Sequence, residues 1–337
     1  MSYIVGKLIE LPPAVMRRAA APLVLTAVVF ATCPAGVWAQ ASPAAPGPQG
    51  PQSTFRSGVE VVTVTAAVRD RRNRVVRDLK QSDFEVYDTG ERRQIRSFDA
   101  GESPISLGVL LDISGSMAVG GNMDRARHAI AVAMGTLRPS DEAALYTFDA
   151  RLEEVVSFTT DLDRIRRVSL EGKPWGLTSL YDAVAKAATA VAGRASKHRA
   201  LLVITDGVDT GSALTAPEVS GIASAIDVPV YLLTVVHPLD HPGGEFSVLE
   251  TDGASTATGT LADLARWTGG DMRIASAPAH TVVAIQDLFA ELRYQYLVTF
   301  EPGTRPGWHP LEIRTRNKNL IVHARSGYLS GPTRSED

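Results

Sequence analysis

One uncharged stretch that ends in acidic and hydroxyl side chains constrains the fold of this chain more than any other feature. No charged residue occurs from Ile105 to Leu111, and the stretch then ends in Asp112-Ile-Ser114-Gly-Ser116. A run of this kind is typical of a strand that is buried on both faces of a parallel sheet. The pattern therefore predicts a sheet whose rim carries one carboxylate and two hydroxyls.

Two oxygen-bearing residues further along the chain extend this set. Thr178 precedes an alanine-rich helix, and Asp206 follows a second apolar strand, Arg199–Thr205. In an open parallel sheet, ligands bind beyond the carboxyl ends of the strands, where both aspartates are expected. Two neighbouring carboxylates repel each other unless a cation relieves the repulsion, and hard cations prefer oxygen ligands. The set predicts a site for Mg²⁺, with Mn²⁺ or Ca²⁺ as alternatives, formed by Asp112, Ser114, Ser116, Thr178 and Asp206.

The order of these five residues resembles the metal-ion-dependent adhesion site of the von Willebrand factor A (VWA) family. The matching pattern is Asp112-x-Ser114-x-Ser116, then Thr178, then Asp206 followed by glycine, and the resemblance covers about Ser103 to Tyr296. The resemblance implies a Rossmann-like fold and a cation whose coordination is completed by an Asp or Glu carboxylate of a partner protein. More loosely, the whole chain resembles secreted VWA-related proteins of bacteria.

A structural interpretation of the same residues is also open. Serines can cap the helix that follows a strand, and aspartates can simply end strands. Beside Thr178, both Trp175 and Leu177 are either contacts for a partner or packing residues. Three further side chains are candidates for supporting the metal ligands from behind: Tyr181, Asp182 and Asp209.

Strands and helices alternate from residue 102 to residue 293, which predicts an α/β domain with a doubly wound, mostly parallel sheet. Predicted helices include Met123–Leu137 and Ser179–Ala195, and Val228–Val235 is a predicted strand. This is the segment to which the VWA resemblance applies.

Short alternating segments flank that domain on both sides. Before it, Val59–Val68 and Phe84–Tyr87 are predicted strands, and after it Gln295–Phe300 and Leu311–Thr315 are predicted strands. Either group alone is too small to bury a core. We therefore expect the N- and C-terminal strands to form one small β-sandwich-like domain, with the VWA unit inserted between them.

The N-terminal segment has the features of a secretory signal peptide. Arg17 and Arg18 precede the apolar run Ala19–Ala31, and small residues around Ala39 suit a cleavage site. We expect export to the periplasm or beyond the cell, with an uncleaved anchor or a lipid on Cys33 as alternatives, and no transmembrane span in the mature chain. The predicted division is 1–39 signal peptide, 40–54 disordered Pro/Ala/Gly linker, 55–101 N-terminal strands, 102–293 VWA domain, 294–330 C-terminal strands and 331–337 disordered tail.

Charge and motifs argue against several functional classes. The net charge is −3 with acids and bases interspersed, which argues against a nucleic-acid partner. The sequence has no P-loop, no serine-hydrolase elbow and no histidine among the predicted metal ligands, so we do not expect an enzyme. A zinc pair at His237 and His241 is disfavoured because Pro238 and Pro242 oppose the helix that it needs. The basic cluster Arg69–Arg74 is interpreted as a solvated hairpin tip, with a docking patch as the alternative.

These observations predict an exported, metal-dependent protein-binding module for adhesion or interaction. A partner offering an Asp or Glu carboxylate would complete the coordination of the cation. The alternative is a structural scaffold in the cell envelope whose metal only stabilises the fold.

Overall fold

A computed structural model of the chain describes residues 61–169, 176–237 and 260–331. These residues form one central sheet of six strands and two smaller sheets of four strands each. Numbered along the chain, the strands are β1 (Val62–Arg69), β2 (Phe84–Asp88), β3 (Glu91–Arg93), β4 (Ile95–Glu102), β5 (Ile105–Asp112), β6 (Glu142–Phe148), β7 (Leu152–Thr159), β8 (His198–Thr205), β9 (Val230–Val235), β10 (Met272–Ala275), β11 (Tyr294–Phe300), β12 (Gly307–Thr315), β13 (Ile321–Ala324) and β14 (Gly327–Ser330). The α-helices are α1 (Asn122–Thr136), α2 (Leu162–Arg166), α3 (Leu180–Ala192), α4 (Ala216–Ala225), α5 (Leu261–Thr268) and α6 (Pro278–Arg293).

The central sheet has the order β10-β9-β8-β5-β6-β7, and only the edge strand β7 runs antiparallel to its neighbour. Every residue of β5 is buried, as the uncharged stretch predicts for a strand covered on both faces. One face packs against α1, α2 and α6, and the opposite face packs against α3, α4 and α5. The predicted doubly wound, mostly parallel fold is confirmed.

A glycine in the middle of β5 explains how closely one helix approaches the sheet. An added Cβ at Gly108 would lie 2.7 Å from Cγ2 of Val191 on α3 and 2.9 Å from Cδ1 of Leu201 on β8. Real Cβ contacts are not that short, so glycine is the residue that lets α3 lie this close. The helix that follows Thr178 is thereby held tightly against β5.

The two four-stranded sheets combine strands from before and after the central domain. Their orders are β13-β1-β11-β4 and β14-β12-β2-β3, with Val64 on β1 paired to Val298 on β11. Both sheets contribute to one apolar core, which includes Phe84, Tyr296 and Tyr328. The predicted β-sandwich-like arrangement of N- and C-terminal strands is confirmed, and α6 continues into β11 without an intervening residue.

Several element boundaries differ from those predicted. After β1, the chain turns back and pairs with that strand through a single bridge between Val75 and Arg69. The helix predicted over Ser179–Ala195 ends at Ala192, where Gly193 follows. Strand β12 begins at Gly307, four residues before the predicted strand Leu311–Thr315.

Some sequence-based predictions fall outside the described residues. These are the signal peptide, the linker, Trp175, His241 and all but the first residue of the tail, and each stays a prediction, as do the domain boundaries. In the part of the chain that the structure describes, no helix combines the length and the apolar character needed to cross a membrane.

Candidate metal centre

Asp112 is the last residue of β5, and its side chain is fully buried at the rim of the sheet. Its Oδ1 accepts a 2.8 Å hydrogen bond from the backbone N–H of Ser114, and its Oδ2 accepts a 2.6 Å bond from Oγ1 of Thr205. Burial raises the pKa of this carboxyl above its usual value, and the charge of Asp206 raises it further. The hydrogen bonds from Ser114 and Thr205 oppose that rise without cancelling it. The ionised form of Asp112 is therefore costly in the protein alone, and a cation would stabilise it.

Ser114 and Ser116 lie in the tight turn that follows β5. Their hydroxyl oxygens are 3.2 Å apart, and Ser114 is fully buried. Ser114 occupies the cap position of the 3-10 turn Gly115–Ala118, but its side chain makes no capping hydrogen bond. The helix-capping interpretation of this serine is therefore not supported.

Thr178 lies in a loop that is joined to the Asp112 turn by backbone contacts. The N–H of Gly115 donates to the carbonyl of Gly176 at 3.3 Å. The Thr178 carbonyl accepts bonds of 2.9 Å from the N–H groups of Thr210 and Gly211, in the loop after β8. Thr178 itself is buried, with 3% exposure. The loops after β5 and β8 are thus both bonded to the segment that carries Thr178.

Asp206 follows the last residue of β8, the parallel neighbour of β5. Its Oδ1 is shielded from solvent and has no hydrogen-bond partner among the described residues. The next residue, Gly207, has φ of +94°, a conformation that favours glycine. The chain therefore turns sharply directly after the carboxylate.

The three supporting candidates connect the start of α3 to the loop after β8. Oδ1 of Asp209 accepts a 2.8 Å bond from the N–H of Leu180 and a 2.6 Å bond from the hydroxyl of Ser212. Asp182 accepts bonds from the N–H groups of Ala213 and Leu214, at 3.1 and 2.9 Å. The N–H of Tyr181 donates to Ser212 Oγ at 2.9 Å. The side chains of Asp209 and Asp182 thus join the loop after β8 to the start of α3, while Tyr181 does so through its backbone.

Sequence reasoning missed Thr205, the residue whose hydroxyl bonds Asp112. Its one sequence signal is its place immediately before Asp206 at the end of an apolar strand. The side chain of Leu177, predicted as a partner contact or a packing residue, is 59% exposed, so packing does not explain it.

The five candidate ligands all offer oxygen atoms, which hard cations prefer. They comprise two carboxylates and three hydroxyls, and one carboxylate oxygen lacks a partner among the described residues. The described part of the chain contains no group of three or more His, Cys, Asp or Glu side chains arranged to hold a metal. Any ion at this rim would therefore depend on neutral hydroxyl ligands as much as on charge.

Comparison with known proteins agrees with the fold. Residues 107–208 match the family model for the von Willebrand factor type A domain, a segment that begins in β5 and includes all five candidate ligands. The central domain is thus a VWA domain. No curated protein matches the sequence.

Several solved structures are similar to the chain. An aerotolerance-related membrane protein from Bacteroides fragilis is 18% identical with a TM-score of 0.43, and the match covers 56% of this chain and 98% of that one. BatB from Bacteroides thetaiotaomicron is 18% identical with a TM-score of 0.41, over 55% of this chain and 97% of that one. A von Willebrand factor type A protein from Catenulispora acidiphila is 13% identical with a TM-score of 0.42, over 73% of each chain.

Proposed function

We propose that this protein is an exported, non-enzymatic, metal-dependent protein-binding module. Asp112, Ser114, Ser116, Thr178 and Asp206 would hold Mg²⁺, and an Asp or Glu side chain of a partner protein would complete its coordination. The observation that carries the proposal is the buried Oδ1 of Asp206, a carboxylate oxygen that has no hydrogen-bond partner among the described residues and whose charge acts on the buried carboxylate of Asp112.

The energetics of the two aspartates support a cation. The hydrogen bonds that Asp112 accepts from the described residues come from neutral groups, including the N–H of Ser114 and the hydroxyl of Thr205. Its raised pKa reports the cost of a buried negative charge next to Asp206. Buried carboxylates of this kind are usually paired with a charge or coordinate a metal. A divalent cation would offset both charges at once.

The number of ligands supports a partner carboxylate. Mg²⁺ prefers about six oxygen ligands in octahedral geometry, and the five side chains supply at most one oxygen each unless a carboxylate binds through both. Outward-facing positions of the ion would then be left for oxygen from outside. Since a VWA domain is commonly a protein-interaction module, we assign that oxygen to a protein partner. Export is supported by the charged and apolar pattern of the N-terminal segment.

A capture experiment tests this proposal. The purified protein is incubated with the envelope fraction of its source cell in Mg²⁺ or in chelator, alongside the Asp112→Ala variant. We expect a captured partner only for the wild-type protein in Mg²⁺, while the variant still unfolds cooperatively. Equal capture by all samples would refute the proposal, as would turnover of phosphoester or acyl-ester substrates that is lost in the variant.

The second candidate is a scaffold in which the ion only stabilises the fold. The loops of the site argue against it, because Gly115, Gly176, Thr178 and Thr210 already join them by backbone hydrogen bonds. A stabilising ion would give a large loss of melting temperature in chelator and no metal-dependent capture.

A further inference from the structure

Three exposed apolar side chains lie on the loops that carry the candidate metal ligands. Val119 is 67% exposed and lies three residues after Ser116, Leu177 is 59% exposed and directly precedes Thr178, and Val208 is 51% exposed and lies two residues after Asp206. We call these three residues the apolar rim. Single exposed apolar residues are normal on a protein surface, but one on each of three loops of the same site needs an explanation.

Contacts between the loops keep the apolar rim together. Gly115 is hydrogen-bonded to Gly176, beside Leu177. An added Cβ at Gly211 would lie 3.3 Å from Cβ of Leu177, so the loop after Val208 packs against the Leu177 loop. The turn that carries Val119 is closed by a 3.0 Å bond from its N–H to the carbonyl of Ser116. The loops that carry the three side chains are therefore joined to one another.

Acidic residues of these loops are already engaged within the protein. Oδ1 of Asp149 accepts a bond from the N–H of Arg151, and Asp182 and Asp209 accept the backbone bonds described above. The surface next to the ion is thus apolar at three points, and Asp149, Asp182 and Asp209 each accept a backbone hydrogen bond within the protein. This arrangement does not favour a basic partner segment.

We infer that the site recognises an acidic residue flanked by apolar residues in a protein segment. The inference rests on the proposed function, since the acidic residue is the one that would complete the ion. The flanking side chains would cover Val119, Leu177 and Val208 and remove their apolar surface from water. The apolar rim would thereby select among the many acidic residues that other proteins expose.

A displayed peptide library with one fixed Asp or Glu and random neighbours tests the inference. Peptides are retained on the wild-type protein in Mg²⁺ and released with chelator. We expect the released peptides to be enriched in Leu, Ile, Val or Phe next to the acid. Affinity for a selected peptide should fall by about tenfold or more in a variant with Val119→Ser, Leu177→Ser and Val208→Ser, which corresponds to ~1.4 kcal/mol.

A variant with Ile321→Ser and Leu329→Ser is the matched control. These residues are 51% and 61% exposed on the smaller sheets, and their replacement should leave the affinity unchanged. Mg²⁺-dependent peptides with polar or basic neighbours, or equal binding by all three proteins, would overturn the inference and leave the proposed function standing. If chelator releases no peptides, both the inference and the proposed function fail.

Discussion

Thr205 donates a 2.6 Å hydrogen bond from Oγ1 to Oδ2 of Asp112, across the neighbouring strands β8 and β5. The same oxygen accepts a 3.1 Å bond from the N–H of Gly207, directly after Asp206. One buried hydroxyl thus connects the carboxylate of Asp112 to the turn that carries Asp206. The relative position of the two aspartates depends on this side chain.

Replacing Thr205 by valine should weaken Mg²⁺ binding. The change keeps the shape of the side chain but removes the hydroxyl that orients Asp112, and loss of such an orienting bond typically costs about 10–100-fold in metal affinity. Calorimetric titration with Mg²⁺ measures the effect. Thr234→Val is the matched control, since Thr234 pairs with Thr205 on the adjacent strand and its Oγ1 has no hydrogen-bond partner among the described residues. Equal losses in both variants would contradict the assigned role of Thr205.

Replacing Asp206 by asparagine should abolish stabilisation by Mg²⁺ without harming the metal-free protein. Oδ1 of Asp206 makes no hydrogen bond within the described chain, and removing its charge relieves repulsion with Asp112. The melting temperature should therefore rise with Mg²⁺ in the wild-type protein and stay constant in the variant. Asp209→Asn provides the contrast: it should lower the melting temperature of the metal-free protein, because Leu180 and Ser212 lose a charged acceptor. A full Mg²⁺ response in Asp206→Asn would remove Asp206 from the ligand set.

The sequence revealed those parts of the site that lie in continuous local patterns. Asp112 and Asp206 were predictable because each comes at the end of an apolar run, and the direction of parallel strands then brings them to one rim. The role of Thr205 was not predictable in the same way, because a threonine at the end of a buried strand is ordinary. Its bond to Asp112 depends on which strand lies beside β8, which is a property of the sheet order.

Two further features of the fold were also not predictable from the sequence. Strand β12 begins in a segment rich in glycine and proline, where pairing with β14 outweighs local preference. Arg69 was interpreted as part of a solvated hairpin tip, but its side chain is buried and Nε lies 2.5 Å from Oε2 of Glu291. The solvated-tip interpretation is wrong for Arg69, because that ion pair joins residues far apart in the chain.

Glu291 is the acceptor for three side chains at the junction of α6 with the smaller sheets. Besides Arg69 on β1, it accepts a 2.6 Å bond from the hydroxyl of Tyr231 on β9, and Nδ1 of His323 on β13 is 3.2 Å from both of its oxygens. Burial alone would raise the pKa of Glu291, but the charges of His323 and Arg69 and the bond from Tyr231 lower it to about 2. The carboxylate is therefore ionised and fully engaged.

Replacing Glu291 by glutamine should strongly destabilise the protein. The change removes the buried carboxylate that pairs with the guanidinium of Arg69, and breaking a buried ion pair in this way costs ~3–5 kcal/mol. Denaturant unfolding measures the free energy. Glu312→Gln is the control, because the pair of Glu312 with Arg314 is 54% and 55% exposed and should contribute only about 0–1 kcal/mol. Similar losses of unfolding free energy in both variants would show that the buried pair contributes no more to stability than the exposed pair.

The contribution of His323 to stability should decline as pH rises. Burial lowers the pKa of His323, but the charge of Glu291 outweighs burial and raises the pKa above its usual value of 6.5. A raised folded-state pKa adds stability that is complete below about pH 6.5 and is lost as pH rises through the folded value. For Glu291, whose usual pKa is 4.5, the contribution to stability is lost only as pH falls from 4.5 toward about 2. The pair should therefore contribute most between about pH 4.5 and about pH 6.5.

Unfolding free energies of the wild-type protein and His323→Gln, measured from about pH 5 to about pH 8, test this prediction. The difference between the two proteins should shrink as pH rises. His309, whose pKa is raised by bonds to Arg305 and Asp88 in spite of burial, is present in both proteins, so its titration cancels in that difference. In a Glu291→Gln background the same His323 substitution should show little dependence on pH, because the charge that raises the histidine pKa is gone. A difference that stays constant over this range would mean that His323 is neutral beside Glu291, and that the ion pair with Arg69 alone neutralises the buried carboxylate.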